Sequence, residues 1–202
     1  MSTHVGILVF DEVDLLDVGG PYEVFLTAGR LVVRDGAPSP FSVTTIGVTR
    51  RPVTSYGGLG LVPTHTVSDV PDLDVVVIPG AISIDNVIRH EPTMAAVRSL
   101  CGSASIAASV CTGSFLLGEA GLLEARAWTT HWEDVADLAA RIGTEHATTA
   151  QWVDTGEVVT AGGLSSGMAM ALHMVDRIEG RELAVRTARQ MDYAWDADGG
   201  VS

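Results

Sequence analysis

Apolar positions cluster along the chain in short blocks rather than in one continuous period. His4–Phe10 and Asp74–Ile78 read as unbroken apolar strands, and Ile106–Val110 as a run of small and apolar residues. Blocks of this length, bounded by turn residues, fit strands buried on both faces of a parallel sheet. Phe41–Val48 is a further strand. Helix-like spacing fills the intervals: Pro21 opens a helix at its first position and Tyr22–Leu26 continue it. Further helices are predicted over Pro92–Leu100, from Phe115 to Ala120, over Trp132–Ile142 with an amphipathic pattern, over Met168–Ile178 and over Arg181–Tyr193. Arg51–Pro63 reads as a hairpin around Gly57-Gly58, or as plain edge structure. Gln151–Asp154 and Glu157–Thr160 flank Thr155-Gly156 as a second hairpin. Arg126–His131 is a short strand or a connection, and the tail Asp196–Ser202 is expected to fray.

Strands that alternate with helices predict an α/β fold, a mostly parallel central sheet with helices on both faces. Ligands of such sheets bind outside the carboxyl ends of the strands. Asp17, Gly80, Cys111 and His131 all follow strand-like segments, so one mouth of the sheet is expected to gather them. Of the carboxylates after the first strand, Asp11, Glu12 and Asp14 are expected to face solvent. Asp17 lies between Leu15-Leu16 and Val18-Gly19-Gly20 and is expected to point inward.

Composition narrows the class. The chain has 202 residues, 47% hydrophobic and 18% charged, which suits one domain over 1–202 with a large core. Its net charge is -13 with no basic run, so no nucleic-acid partner and no anionic membrane surface is expected. No apolar run has the length of a membrane span, and MSTHVGILVF has no basic leader. Two cysteines, Cys101 and Cys111, do not make a disulfide framework, so a cytoplasmic location with reduced thiols is expected.

The chemistry centres on SIAASVCTGSFLLGEAG at 105–121. A buried strand, a tight turn and a helix start put Cys111 at a strand end facing a helix N-terminus, where the helix dipole favours thiolate. Serine nucleophile elbows share that geometry. The opposing reading makes Cys111 a small, inert core residue. No metal or cofactor is expected. His131, His146 and His173 are scattered, and Gly57-Gly58-x-Gly60 has neither a preceding strand nor a following helix. Backbone N–H groups at Gly80, Ala81 and Thr112 are candidates to stabilise charge on a substrate. Thr112 is a helix cap or a substrate contact, and His131 a site residue or a structural histidine.

PGA at 79–81, ASVCTGSFLLGEAGLLEARAWTTHW at 108–132 and TAGGLSSGMAMALHMV at 160–175 together resemble the DJ-1/PfpI superfamily, a class I glutamine amidotransferase-like group. LLDVGGPYEVF with SVCTGS and TTHW resembles its isonitrile hydratase branch, and equally the amidase-like sensor domain of AraC-type regulators. The resemblance implies a flavodoxin-like three-layer sandwich, usually a homodimer. It puts Cys111 in the nucleophile position, Asp17 beside the sulfur and Thr112 next to the nucleophile, with Gly80, Ala81, His131 and Gly163 against a small-molecule substrate. The implied reaction is addition of water to an isonitrile through a cysteine thioimidate, giving an N-substituted formamide, with Asp17 as general acid and base and Thr112 positioning water or the nascent nitrogen. A redox or ligand sensor built on the same cysteine is the alternative, with glyoxalase- or amidase-type chemistry a third. Ala81 replaces the second glycine of the usual PGG, and Thr112 stands where protease-like members carry histidine. The chain stops at Ser202 without a helix-turn-helix segment, so a stand-alone DNA-binding regulator is not expected.

Overall fold

In the computed structural model, which describes residues 2–201, strand β1 (Thr3–Val9) lies between β2 (Phe41–Gly47) and β6 (Val75–Ile78), parallel to both. Beyond β6 come β7 (Ile106–Val110) and β9 (Val158–Ala161), and beyond β2 the short β5 (His65–Thr66), all parallel. β8 (Trp152–Asp154) closes the far edge and is the antiparallel member of this seven-stranded sheet. The order is β5-β2-β1-β6-β7-β9-β8. A separate two-stranded ribbon pairs β3 (Val53–Thr54) with β4 (Gly60–Leu61), as the glycine-centred hairpin predicts.

Helices cover both faces, which is why β1, β6 and β7 are apolar nearly throughout. Helix α1 (Leu15–Arg34) packs with α6 (Ser166–Glu179) and α7 (Arg181–Gln190). On the other face, α2 (Ile84–Arg89), α3 (Glu91–Ser103), α4 (Gly113–Glu119) and α5 (Val135–Ile142) form the second layer. This is the flavodoxin-like α/β architecture the sequence predicts. The short α2 is absent from the sequence reading because six residues are too few to display a helical period.

Several expectations need correction. Pro21 does not open the first helix; it sits inside α1, which begins at Leu15. Asp14 is the reason. Its carboxylate is not turned freely to solvent but is half-buried at the N-cap, where it accepts the Leu16 N–H at 3.2 Å. Asp17 therefore lies in the first helical turn. Pro21 costs α1 the bond to the carbonyl four residues back, and packing against α6 holds the helix through that gap. Arg126–His131 is a connection tied by one bridge, Trp128 to Ala147. Helix α5 starts at Val135, not Trp132, and α7 ends at Gln190. The tail is not frayed as far as Val201, with Ser202 outside the described residues: the Val201 N–H donates to the Trp152 carbonyl at 2.9 Å, and the Asp154 N–H donates to the Val201 carbonyl at 2.7 Å. The tail thus satisfies edge groups of β8 that would otherwise be open.

Gly19 and Gly20 in α1 give a paired test. A Cβ at Gly19 meets nothing within 4 Å, whereas one at Gly20 would lie 3.0 Å from Met168 Cγ on α6. Gly19→Ala is expected to raise stability by about 0.5–1 kcal/mol. Gly20→Ala is expected to give no gain, because any helix-propensity benefit is offset where α1 meets α6. Urea unfolding of the two variants beside wild type checks both.

Candidate active site

The connection after β1 runs through α1 on one face of the sheet and the connection after β6 through α2 and α3 on the other, so the sheet has its switch point between the neighbouring strands β1 and β6. The loops after β1, β6 and β7 meet there. Val13 bridges Ala81, and the Asp14 N–H donates to the Gly80 carbonyl at 2.9 Å. Asp17 from the start of α1, Pro79-Gly80-Ala81 and Cys111-Thr112 are thereby brought into one place.

Cys111 is the hinge of the β7-to-α4 turn and adopts the left-handed region with φ 55°. That conformation is strained for a residue with a Cβ. Its surroundings hold it there. The Cys111 N–H is shared between the carbonyls of Ala161 at 3.1 Å and Gly162 at 3.0 Å. Its own carbonyl accepts the hydroxyls of Thr130 at 2.9 Å and Ser114 at 3.0 Å. The sharp turn also drives Gly113 against the end of β6, where a Cβ would lie 2.2 Å from the Ile78 carbonyl oxygen.

Asp17 is fully buried. One carboxylate oxygen accepts the Gly80 N–H at 2.9 Å, and the other has no hydrogen-bond partner among the described residues. Burial pushes its pKa up to about 7, with the Gly80 N–H and, more weakly, the Leu164 N–H acting in the opposite sense and the Asp14 carboxylate adding to the rise. Asp17 and the residue after the cysteine converge on Gly80: a Cβ there would lie 3.0 Å from Asp17 Oδ2 and 2.8 Å from the Thr112 nitrogen. The thiol of Cys111 is pushed up to about 12, first by burial and then by the Asp17 charge, with the Thr112 N–H pulling the other way. The expectation of a resting thiolate is therefore corrected. Helix α4 spans only seven residues, and desolvation together with the like charge of Asp17 raises the thiol. Cys101, buried in α3, is a core thiol whose pKa burial also raises to about 12.

Two further expectations change. The Gly80 N–H is taken by Asp17, and the Ala81 N–H donates to the Thr112 hydroxyl at 2.9 Å, so neither is left to face a substrate. Thr112 makes no side-chain cap for α4. Its hydroxyl donates to the Ala81 carbonyl at 2.9 Å and thus clasps both polar groups of Ala81. His131 is half-buried against Gly163, where a Cβ would come within 2.0 Å of the imidazole. Its Nδ1 lies 3.4 Å from an Asp134 carboxylate oxygen. Asp134, whose charge is felt at Cys111, and Thr130, which holds the elbow carbonyl, were not legible as site residues. A cavity of about 350 Å³ is lined by Ile82, Asp85, Phe115, Asp134, Asp137 and Arg141 and includes none of Asp17, Cys111 or Thr112. A cavity of about 640 Å³ opens elsewhere, on Val9–Glu12 and His90, and includes none of Asp17, Cys111 or Thr112.

The DJ-1/PfpI family model matches residues 3–177. Isonitrile hydratase of Pseudomonas putida is 34% identical over 194 residues, 96% of this chain and 80% of that protein. The HTH-type transcriptional regulator GbdR of Pseudomonas aeruginosa is 27% identical over 191 residues, 94% of this chain and 50% of the regulator. The crystal structure of a THiJ/PfpI family protein from Pseudomonas syringae superposes with a TM-score of 0.82 at 27% identity, covering 97% of this chain and 77% of that one.

Because Asp17 is raised from 3.8 to about 7, its protonated form is the one the fold favours. That contribution is complete below 3.8 and is lost as pH rises through about 7. Wild type should therefore lose stability against Asp17→Asn across that window, by at most about 1.4 kcal/mol per pH unit. Urea unfolding of both proteins at several pH values reads the difference, and a flat difference would contradict the burial argument. Gly113→Ala should cost about 1–3 kcal/mol, since the obstacle is backbone that cannot rotate away.

Proposed function

We propose that this chain, which belongs to the DJ-1/PfpI family, hydrates isonitriles to N-substituted formamides, with Cys111 as nucleophile and Asp17 as proton carrier. The observation that carries this reading is the buried Asp17 carboxyl, with one oxygen free, converging with Cys111-Thr112 on Gly80. The likeness to a protein named isonitrile hydratase supports it.

The chemistry follows from the two pKa shifts. At neutral pH the thiol is protonated and Asp17 is near its midpoint, so the ionised carboxylate takes the proton as sulfur attacks. The S–C bond forms at the terminal carbon of R–N≡C, and Asp17 passes the proton to that carbon, giving the thioimidate R–N=CH–S. Water then adds across C=N, its oxygen to carbon and one proton to nitrogen, with Asp17 relaying the proton. The C–S bond breaks, sulfur recovers a proton and R–NH–CHO departs. Thr112 acts here through the loop, by holding Ala81 and with it Gly80 against Asp17, rather than by orienting the water. A peroxide sensor on the same cysteine would need a low-pKa thiol, and the upward shift at Cys111 argues against that alternative.

Formamide production from cyclohexyl isonitrile, followed by proton NMR, tests the reading. Wild type should turn over, Cys111→Ala should give no product, and Asp17→Asn should fall by about 10²–10⁴-fold with unchanged far-ultraviolet circular dichroism. Since the active form pairs a thiol with an ionised carboxylate, kcat/KM should rise through pH about 7 and then level off. Absence of formamide from wild type across alkyl, aryl and cyclic isonitriles would refute the assignment.

A further inference from the structure

We propose that the outer face of α1 is a self-pairing surface, on which a second copy of this chain packs its own α1 antiparallel, across a two-fold axis beside Leu26. The observation that carries this is a line of exposed positions. Leu16, Gly19, Glu23, Leu26, Arg30 and Val33 all face solvent. Apart from Leu15 and Arg34 at the helix ends, every other residue of α1 is buried or half-buried. The steps along the line alternate between three and four residues, the spacing by which one helix keeps a seam turned toward another. Leu16, Leu26 and Val33 on that line are 40%, 45% and 55% exposed. A helix that only covers a core turns polar residues outward, so a leucine- and valine-bearing outer line marks a surface built to be covered.

The two charges on the line select the occupant and its direction. Glu23 and Arg30 stand seven residues apart, and neither has an oppositely charged partner among the described residues. Both lean on Thr27, whose hydroxyl donates to Glu23 at 2.8 Å and accepts from Arg30 at 3.4 Å. Across a two-fold axis beside Leu26, Glu23 meets Arg30 of the second copy, Arg30 meets that copy's Glu23, and Gly19 lies opposite its Val33. A parallel pairing would instead set glutamate on glutamate and arginine on arginine. The line is also neutral, one glutamate against one arginine, in a chain of net charge -13. Two copies that repel over much of their surface can meet there. A contact that uses the same patch on both copies closes at two subunits.

Size-exclusion chromatography with light scattering, over a concentration series, tests the proposal. Wild type should reach twice the 21.1 kDa of one chain. Leu26→Glu, Glu23→Arg and Arg30→Glu each set like charges against one another across the axis. Each should weaken self-association about tenfold or more, with unchanged far-ultraviolet circular dichroism. Glu23→Arg combined with Arg30→Glu in one chain should regain the wild-type dimer. An equimolar mixture of the two single charge variants should form a heterodimer, which pairs arginine with glutamate at both contacts. Loss of association through misfolding would be rescued by neither combination. The proposal fails if wild type is monomeric, if the three single variants associate as tightly as wild type, or if neither the double variant nor the mixture restores the dimer. Association is read without turnover, so its failure is distinct from failure of the hydratase reading.

Discussion

One close approach organises this molecule: the start of α4 presses onto the end of β6, with Gly113 almost touching the Ile78 carbonyl. For the chain to make that approach from β7 it must turn at Cys111 through a left-handed conformation. Five polar contacts to the Cys111 backbone, drawn from the segments around β9, α4 and the 126–131 connection, keep it there. The strain is thus distributed over three segments, and the sulfur is carried on a turn with little freedom to relax.

The same tight geometry sets the electrostatics. Gly80 is held between Asp17 and Thr112, so the acid from α1 and the turn from β7 share a loop that neither could form alone. Burial then lifts both titrating groups, the carboxyl to about 7 and the thiol to about 12. These shifts are coupled, because an ionised Asp17 is part of what keeps the thiol protonated.

Two cavities meet at the loop after β6, where Ser83 and Asn86 line both. The smaller reaches Phe115, Asp134 and Arg141, and the larger reaches Phe10, Val48 and His90. A fold whose strand ends all open at one edge has room for more than one chamber, because the loops there are free of the constraints that shape the sheet.

How much was legible beforehand depended on the range of the interaction. Strand identity, helix order and the α/β class follow from local apolar patterning, since burial on both faces leaves unbroken runs such as VVVI at 75–78. The elbow was legible for the same reason, being a strand, a turn and a helix in sequence. Asp17 was visible as an inward-pointing acid, but its place in the first turn of α1 was not, because the Asp14 cap outweighed the signal of Pro21. The protonation of Cys111 ran against the local expectation, and the donors of Gly80 and Ala81 proved to be occupied. Residues such as Asp134 and Thr130, and the docking of the tail on β8, carry no local pattern at all. Which elements form, and in what order, follows from local patterning; what surrounds each polar group follows from the assembled fold, because desolvation and hydrogen-bond occupancy depend on neighbours far away along the chain.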